Sequence, residues 1–176
     1  HVKSIYNLGV IFEKQDNYKK AIKYYKNVIN INSTHAKAHY NLANILATLD
    51  KLQSSKQHYL SAIKHNSSYY EAHYNLANVF IQTKNFKQAT KHLSKAVHIN
   101  PQFAQGHYNL GNIYSRMGKL NKAIQHYRAV VQIKPDYANG HVNLGVALAR
   151  DGNYSGAINH LNKAYKLNPE SKHIRL

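Results

Sequence analysis

Apolar side chains recur along this chain at a spacing close to 3.6 residues, in short stretches separated by polar segments. Within residues 104–137 the first stretch contains Tyr108, Leu110, Gly111, Tyr114 and Met117, and the second contains Leu120, Ala123, Ile124, Tyr127, Val130 and Val131. Gly118 and Lys119 separate the two stretches, and Pro135 follows the second because proline cannot continue a helix. The pattern therefore predicts two amphipathic helices joined by a tight turn.

This pattern of two helices returns every 34 residues without a gap. It divides residues 2–171 into five segments: 2–35, 36–69, 70–103, 104–137 and 138–171. The seventh place of every segment is Leu, and the eighth place is Gly or Ala. A unit of this length is too short to bury a core alone, so a fixed period predicts an array in which each unit stacks on its neighbours.

The repeat places ten helices along the chain. We expect first helices near residues 2–15, 36–49, 70–83, 104–117 and 138–151, and second helices near 17–30, 51–64, 85–98, 119–132 and 153–166. The chain starts at His1 within the pattern, which predicts a piece of a longer protein. Residues 172–176 are expected to begin a truncated further helix or a capping helix.

Other aligned positions resemble the tetratricopeptide repeat. The shared positions are an aromatic residue or Leu at the eleventh place, Ala at the twentieth, Tyr or Leu at the twenty-fourth, and proline near the end at Pro101, Pro135 and Pro169. Ser55 replaces the usual Ala, and Ser33 and Ser67 replace the proline. The resemblance covers residues 2–171 and implies an all-α, right-handed superhelical solenoid of five helix-turn-helix units.

Asparagine occupies the sixth place of all five segments, at Asn7, Asn41, Asn75, Asn109 and Asn143. The resemblance implies that this place faces a concave groove lined by the first helices. Asparagine costs some tenths of a kcal/mol in a helix relative to alanine, so a compensating interaction is expected. Two interpretations remain open: the side chains tie adjacent helices together, or their carboxamides bind the N–H and C=O groups of an extended peptide.

Further amides and aromatic rings accompany this asparagine column. Asn44, Asn78 and Asn112 lie three residues later on the same helix face, and Tyr6, Tyr40, Tyr74 and Tyr108 precede it. Such a ladder is similar to the superhelical repeat domain of O-linked N-acetylglucosamine transferases, which hold protein substrates by the backbone. We therefore predict a protein-interaction scaffold that binds an extended peptide. The alternatives are the substrate-recognition arm of such a glycosyltransferase and a basic adaptor for nucleic acid or membranes.

A second known use of the family is a clamp for the carboxylate of chaperone tails. That clamp needs Lys at a fifth place, where this chain has Tyr or Val, and cations at a sixth place, where it has Asn. The sequence therefore disfavours chaperone-tail binding.

The chain is strongly basic, with 24 Lys and Arg against 7 Asp and Glu and a formal charge of +17. This charge favours acidic partners through its long-range field. An alternative hypothesis attributes the lysine excess to an AT-rich genome. The cations at groove places are Lys3, Lys14, Lys37, Arg116 and Arg150, and most of the others lie on second helices and loops. Nucleic acid is therefore a less expected partner than protein.

Catalytic and metal-binding motifs are not evident. The chain has no cysteine, its seven acids are scattered, and no nucleophile elbow, phosphate loop or HExxH pattern occurs. We therefore expect no enzymatic activity, no cofactor and no metal site. Eight histidines form two columns, at His39, His73, His107 and His141 and at His58, His92, His126 and His160. Neighbours in one column would be on the order of 10 Å apart, too far to share a zinc ion, so packing is expected.

Two expectations concern the environment of the protein. No apolar run approaches the ~18 residues that a membrane span needs, and we expect an intracellular location, cytoplasmic or nuclear. Arrays of this kind need a polar terminal helix to cover their last apolar face. We therefore also expect head-to-tail self-association at high concentration.

Overall fold

The computed structural model describes residues 1–169, and most of them are helical. The helices are α1 (Val2–Lys14), α2 (Tyr18–Ile31), α3 (Ala36–Thr48), α4 (Leu52–His65), α5 (Tyr70–Gln82), α6 (Phe86–Ile99), α7 (Ala104–Arg116), α8 (Leu120–Ile133), α9 (Ala138–Arg150) and α10 (Tyr154–Leu167). The all-α prediction is confirmed. The first helices end one residue earlier, and the second helices begin and end one residue later, than the sequence periodicity predicts. The connecting turn within each hairpin therefore has three residues where one is predicted.

Each odd-numbered helix packs against the helix that follows it, so the helices form hairpins. The turn of each hairpin contains one residue with positive φ: Asp16 at 54°, Asp50 at 55°, Lys84 at 57°, Gly118 at 70° and Gly152 at 86°. A left-handed residue just after a helix ends that helix and redirects the chain. The fifteenth place of the repeat therefore sets the hairpin geometry, even where the residue is not glycine.

The chain divides into two compact units, His1–Ile99 and Asn100–Leu176. Unit 1 contains α1 to α6 and has two buried clusters, one around Tyr25 and Leu42 and one around Tyr59 and Leu76. In unit 2, α7 to α10 surround a cluster that includes Tyr127, Leu144 and Leu148. The small residues of the repeat lie inside these clusters, where they let the helices approach closely.

The departure at Ser55 has a structural explanation. Ser55 is fully buried in α4, and its Oγ donates a hydrogen bond of 2.9 Å to the backbone oxygen of Ala43 in α3. The hydroxyl is small enough for the place that alanine fills elsewhere, and the hydrogen bond offsets the cost of burying it.

Residues 172–176, for which a further or capping helix is predicted, lie outside the described residues, as do the last two residues of the fifth segment. That helix and the expected self-association stay predictions. Among residues 1–169, no helix combines the length and the hydropathy required to cross a bilayer.

Candidate functional site

The first helices of unit 1 are connected through the asparagine column. Asn41 Nδ2 donates to Tyr6 Oη at 3.0 Å and to Tyr25 Oη at 3.1 Å, so α3 is tied to both helices of the first hairpin. One hairpin later, Asn75 Nδ2 donates to Tyr40 Oη at 3.1 Å and to Asn44 Oδ1 at 3.0 Å. The amide hydrogens of these two side chains are thus used inside the protein.

Asn44 is the centre of the second of these networks. Its Oδ1 accepts from Tyr59 Oη at 2.6 Å as well as from Asn75 Nδ2, so one carbonyl oxygen joins α3, α4 and α5. Beside it lies a pocket of about 280 Å³, lined by Asn44, Thr48, Tyr59, Asn75, Asn78 and Gln82 among others. The predicted amides at the sixth and ninth places therefore meet at one solvent-accessible surface.

Unit 2 repeats the same arrangement. Asn112 Oδ1 accepts from Tyr127 Oη at 2.8 Å and from Asn143 Nδ2 at 3.0 Å. Burial raises the pKa of Tyr127 to about 12, with Tyr108 as the next cause, so its hydroxyl stays protonated and donates at neutral pH. The geometry of the ninth-place asparagine is thus reproduced in two hairpins whose twenty-fourth place is tyrosine.

The hydrogen bonds leave a regular polarity on these side chains. The bonds described for Asn41, Asn75 and Asn143 start from Nδ2, so Oδ1 retains its capacity to accept. Asn44 and Asn112 have the opposite arrangement, because their oxygens accept two bonds each while Nδ2 retains capacity to donate. Neighbouring amides therefore present an acceptor and a donor in turn, which matches the N–H and C=O groups of a peptide backbone.

The first hairpin replaces this amide centre with a carboxylate. Val10 occupies its ninth place, and Tyr25 Oη donates a short hydrogen bond to Glu13 Oε2. Burial is the main reason that the pKa of Tyr25 is raised, and the bond to Glu13 adds to it. This end of the column therefore offers a different surface from the hairpins that carry Asn44 and Asn112.

The other predicted site residues lie on the same first helices. Asn7 is exposed at the start of the column, whereas Asn78, Asn109, Tyr74 and Tyr108 are half-buried. Gln105 Nε2 donates to Asn109 Oδ1 at 3.5 Å, and the ring of Tyr108 lies 5.5 Å from that of Tyr137. The ring centroids of Tyr6 and Tyr40, at the fifth place, lie 5.8 and 6.1 Å from those of Tyr25 and Tyr59, so these rings also pack the first helices against the second.

Sequence comparison matches family models across most of the chain. Models described as the tetratricopeptide repeat match residues 2–35, 36–69 and 138–171, and one described as a TPR repeat matches 77–118 and 111–152. The chain belongs to the tetratricopeptide repeat family. A comparison with curated protein sequences found no match.

Solved structures share the tetratricopeptide fold at low sequence identity. YrrB, described as a TPR protein with an unusual peptide-binding site, is 22% identical with a TM-score of 0.84, covering 97% of this chain and 88% of YrrB. MamA from Desulfovibrio magneticus RS-1 is 22% identical with a TM-score of 0.83, covering 97% of both chains. PilF from Pseudomonas aeruginosa is 16% identical with a TM-score of 0.81, covering 98% of this chain and 79% of PilF.

The sequence does not predict that tyrosines of the second helices join the hydrogen-bond networks of the asparagine column. In the sequence, Tyr25, Tyr59 and Tyr127 mark only the twenty-fourth place of the repeat, yet their hydroxyls hold the networks together. A signal was present, because Tyr59 and Tyr127 occur in repeats with asparagine at the ninth place. The third repeat hides the signal, since it pairs Asn78 with Leu93.

Two other features bear on the chemistry of the surface. A larger cavity of about 620 Å³ lies away from the asparagine column and is lined by His126, Arg128 and Asp151 among others. In unit 2, Arg150 Nη1 donates to Ser115 Oγ at 3.2 Å, which holds the guanidinium of α9 against α7. No group of three or more metal-ligating side chains is found among residues 1–169.

Proposed function

We propose that this chain binds an extended segment of a protein partner along the first-helix wall of unit 1, meaning the surface of α1, α3 and α5. The first helices of unit 2, α7 and α9, form a second wall of the same kind. The observation that supports the proposal most directly is the pocket of about 280 Å³ beside Asn44 and Asn75. Its two amides offer a donor and an acceptor from adjacent helices. A peptide backbone has both groups at every residue except proline, so binding would depend little on the sequence of the partner.

The charge of the wall favours an acidic segment. Arg116 and Arg150 occupy groove places in unit 2, and Lys3, Lys14 and Lys37 do so in unit 1, where Glu13 and Glu71 oppose them. The remaining positive charge of the chain would increase the rate of encounter with such a partner. The YrrB structure, described with a peptide-binding site, supports peptide binding by this fold.

The test is selection from a random 12-residue peptide library, followed by titration of the best peptides into ¹⁵N-labelled protein. The side-chain amide signals of Asn44, Asn75, Asn112 and Asn143 report on the wall directly. We expect these signals to shift, and those of the second helices to shift less. Shifts confined to α2, α4 and α6, or binding only to DNA, would favour the basic adaptor and contradict the proposal.

A pair of variants separates binding from stability. Asn75→Ala removes Oδ1 together with the bonds to Tyr40 and Asn44, whereas Tyr40→Phe removes one of those bonds and keeps Asn75. Each lost hydrogen bond costs about 1 kcal/mol of stability. We expect about a tenfold loss of peptide affinity in Asn75→Ala and little in Tyr40→Phe, measured by calorimetry. Equal affinities in both variants and the unmodified protein would exclude the amide column from binding.

A further inference from the structure

The two histidine columns meet in pairs, one pair in each of four hairpins. The distances between the two Nδ1 atoms are 2.9 Å for His39 and His58, 3.1 Å for His73 and His92, 3.0 Å for His107 and His126, and 3.0 Å for His141 and His160. Each pair joins the first helix of a hairpin to the second. The first hairpin has Ile5 and Tyr24 at these places, so it lacks a pair.

Backbone bonds determine which ring donates. His39, His107 and His141 place Nε2 at 3.1, 3.2 and 2.9 Å from the carbonyl oxygens of Ser33, Pro101 and Pro135. A carbonyl only accepts, so these Nε2 atoms are protonated and, in a neutral ring, Nδ1 is the acceptor. The second-helix histidine must then donate its own Nδ1–H. The fourth first-helix ring differs, because His73 Nε2 is buried and has no hydrogen-bond partner among the described residues. The backbone of Ser67 nevertheless lies close enough to raise the pKa of His73, against the lowering by burial.

This geometry limits the number of protons that a closed pair can hold. One added proton can go to Nε2 of the second-helix ring and leave the bond between the rings intact. A second added proton would place two N–H donors opposite each other at about 3 Å with no acceptor between them. An unfolded chain has no such limit, so it binds more protons than the folded chain in acid.

We propose that the four histidine pairs are acid-sensitive hydrogen bonds that open the hairpins α3–α4, α5–α6, α7–α8 and α9–α10 as the pH falls below neutral. Each bond connects the two helices of its hairpin, beside their apolar contacts and, in α3–α4 and α7–α8, the bonds from Tyr59 to Asn44 and from Tyr127 to Asn112. Losing it while charging a ring at a helix contact weakens that contact. The hairpin α1–α2 lacks a pair and should respond less.

The surroundings of the pairs make protonation harder. Burial lowers the pKa of His92 to about 4, and His73 and Lys91 add to the effect. Burial also lowers the pKa of His126 to about 4, and there His107 and Lys122 add to the effect. Burial also lowers the pKa of His58, followed in effect by His39 and by Lys26 of α2. The pKa of His160 is lowered by burial first, and then by His141 and by Arg128 of α8.

The first-helix rings of His39, His73 and His107 are affected in the same direction. Burial lowers the pKa of His39, where His65 and His35 add to the effect, and of His73, where Lys95 adds. Burial also lowers the pKa of His107, and Asp151 lines the cavity that His107 and His126 share. Because these folded-state pKa values lie below the ordinary 6.5, the stability they confer is complete above about pH 6.5 and is lost as the pH falls toward about 4.

A metal ion would be the other use of two imidazoles at this separation. Chelation would require both Nδ1 atoms to be deprotonated, and a structural site would need further ligands. No third His, Asp, Glu or Cys completes such a group in residues 1–169. The hydrogen bond accounts for the separation without an added ion.

The pairs are also connected to the proposed binding wall. His39 and His58 join α3 to α4, the same two helices that the bond between Tyr59 and Asn44 joins. Opening this hairpin would displace Asn44 and weaken peptide binding. That consequence rests on the proposed function, whereas the opening itself does not.

The decisive measurement is a pH titration of the histidine rings by ¹⁵N NMR in the unmodified protein. We expect the second-helix rings to carry the proton on Nδ1 at neutral pH and to titrate below the ordinary histidine pKa of about 6.5. Second-helix rings that titrate at or above about 6.5 would overturn the proposal, whatever the variants do.

Urea unfolding at about pH 7.5 and about pH 5 provides the second test. His92→Asn keeps an N–H donor near His73 but removes a titrating ring. Between the two pH values, the folded-to-unfolded ratio should fall in both proteins. The fall should be about ten times larger in the unmodified protein than in His92→Asn, a factor that allows for screening by solvent. His98 is an exposed histidine outside the pairs, so His98→Asn is the matched control and should behave as the unmodified protein. Equal pH dependence in all three, or stabilisation by Zn²⁺ or Ni²⁺ that His92→Asn abolishes, would contradict the proposal.

Discussion

At the scale of single residues, asparagine has different roles at the sixth and ninth places of the repeat. Asn44, at the ninth place, accepts two hydrogen bonds at Oδ1, whereas Asn75, at the sixth place, donates two from Nδ2. The difference arises because Asn44 Oδ1 faces the donors of Tyr59 and Asn75, whereas Asn75 Nδ2 faces the oxygens of Tyr40 and Asn44. Two columns of the same amino acid thus use different atoms of the side-chain amide.

Lys84 has an unfavourable backbone conformation that a single substitution should relieve. Its φ of 57° is left-handed, and its side chain is exposed. A non-glycine residue in this region costs about 1–2 kcal/mol, which glycine would relieve. Part of this gain is lost because glycine makes the unfolded chain more flexible. We expect Lys84→Gly to stabilise the protein by about 0.5–1 kcal/mol, which is a few degrees in Tm by calorimetry.

Asp50 provides the comparison for this prediction. It has nearly the same φ, 55°, but aspartate tolerates the left-handed region better than lysine does. Asp50→Gly should therefore stabilise the protein less than Lys84→Gly. A loss of stability in Lys84→Gly would show that the lysine side chain contributes more than its backbone strain costs.

At the scale of helices, the second helices differ in how they begin. Asn17, Asn85 and Asn153 cap α2, α6 and α10 by accepting from the backbone N–H groups of Lys20, Gln88 and Gly156. Lys51 and Lys119 precede α4 and α8 without a side-chain cap. The repeat therefore contains its own comparison between capped and uncapped helices.

Lys119→Asn should supply the missing cap of α8. An N-cap asparagine stabilises a helix by about 1 kcal/mol relative to residues that cannot cap, so we expect a gain of this size in urea unfolding. Asn85→Ala is the reciprocal change and should lose a similar amount. If Lys119→Asn has no effect while Asn85→Ala destabilises, the turn before α8 does not orient the side chain for capping.

At the scale of the whole molecule, the formal charge of +17 opposes folding through self-repulsion. Salt screens this repulsion, with a Debye length of about 10 Å at 0.1 M. We therefore expect Tm to rise as NaCl increases from about 10 to 300 mM, while the affinity for an acidic peptide falls. Thermal unfolding and peptide titration in the same buffers measure both. A Tm that decreases with NaCl would mean that attractive ion pairs outweigh the repulsion.

The helices of this protein were predictable because their signals are local. The spacing of residues such as Leu110 and Tyr114 defines a helix face within a few turns, and the 34-residue period fixes where each helix returns. The ends of the second helices were displaced by one residue because the turn at Lys84 and its equivalents depends on backbone geometry. The predicted binding residues share the first helices, as a period of 34 requires.

The sequence by itself determined the repeat, the hairpins and the columns of Asn, Tyr and His, since all of these follow from side-chain type and periodicity. The tertiary structure decided which atoms meet. His39 reaches His58 nineteen residues away, and Tyr59 reaches Asn44 across a hairpin. These contacts depend on interhelical distances that small residues such as Ser55 and Ala43 set. A hydrogen bond forms only within a few tenths of an ångström, and a pattern of letters does not specify distances that finely.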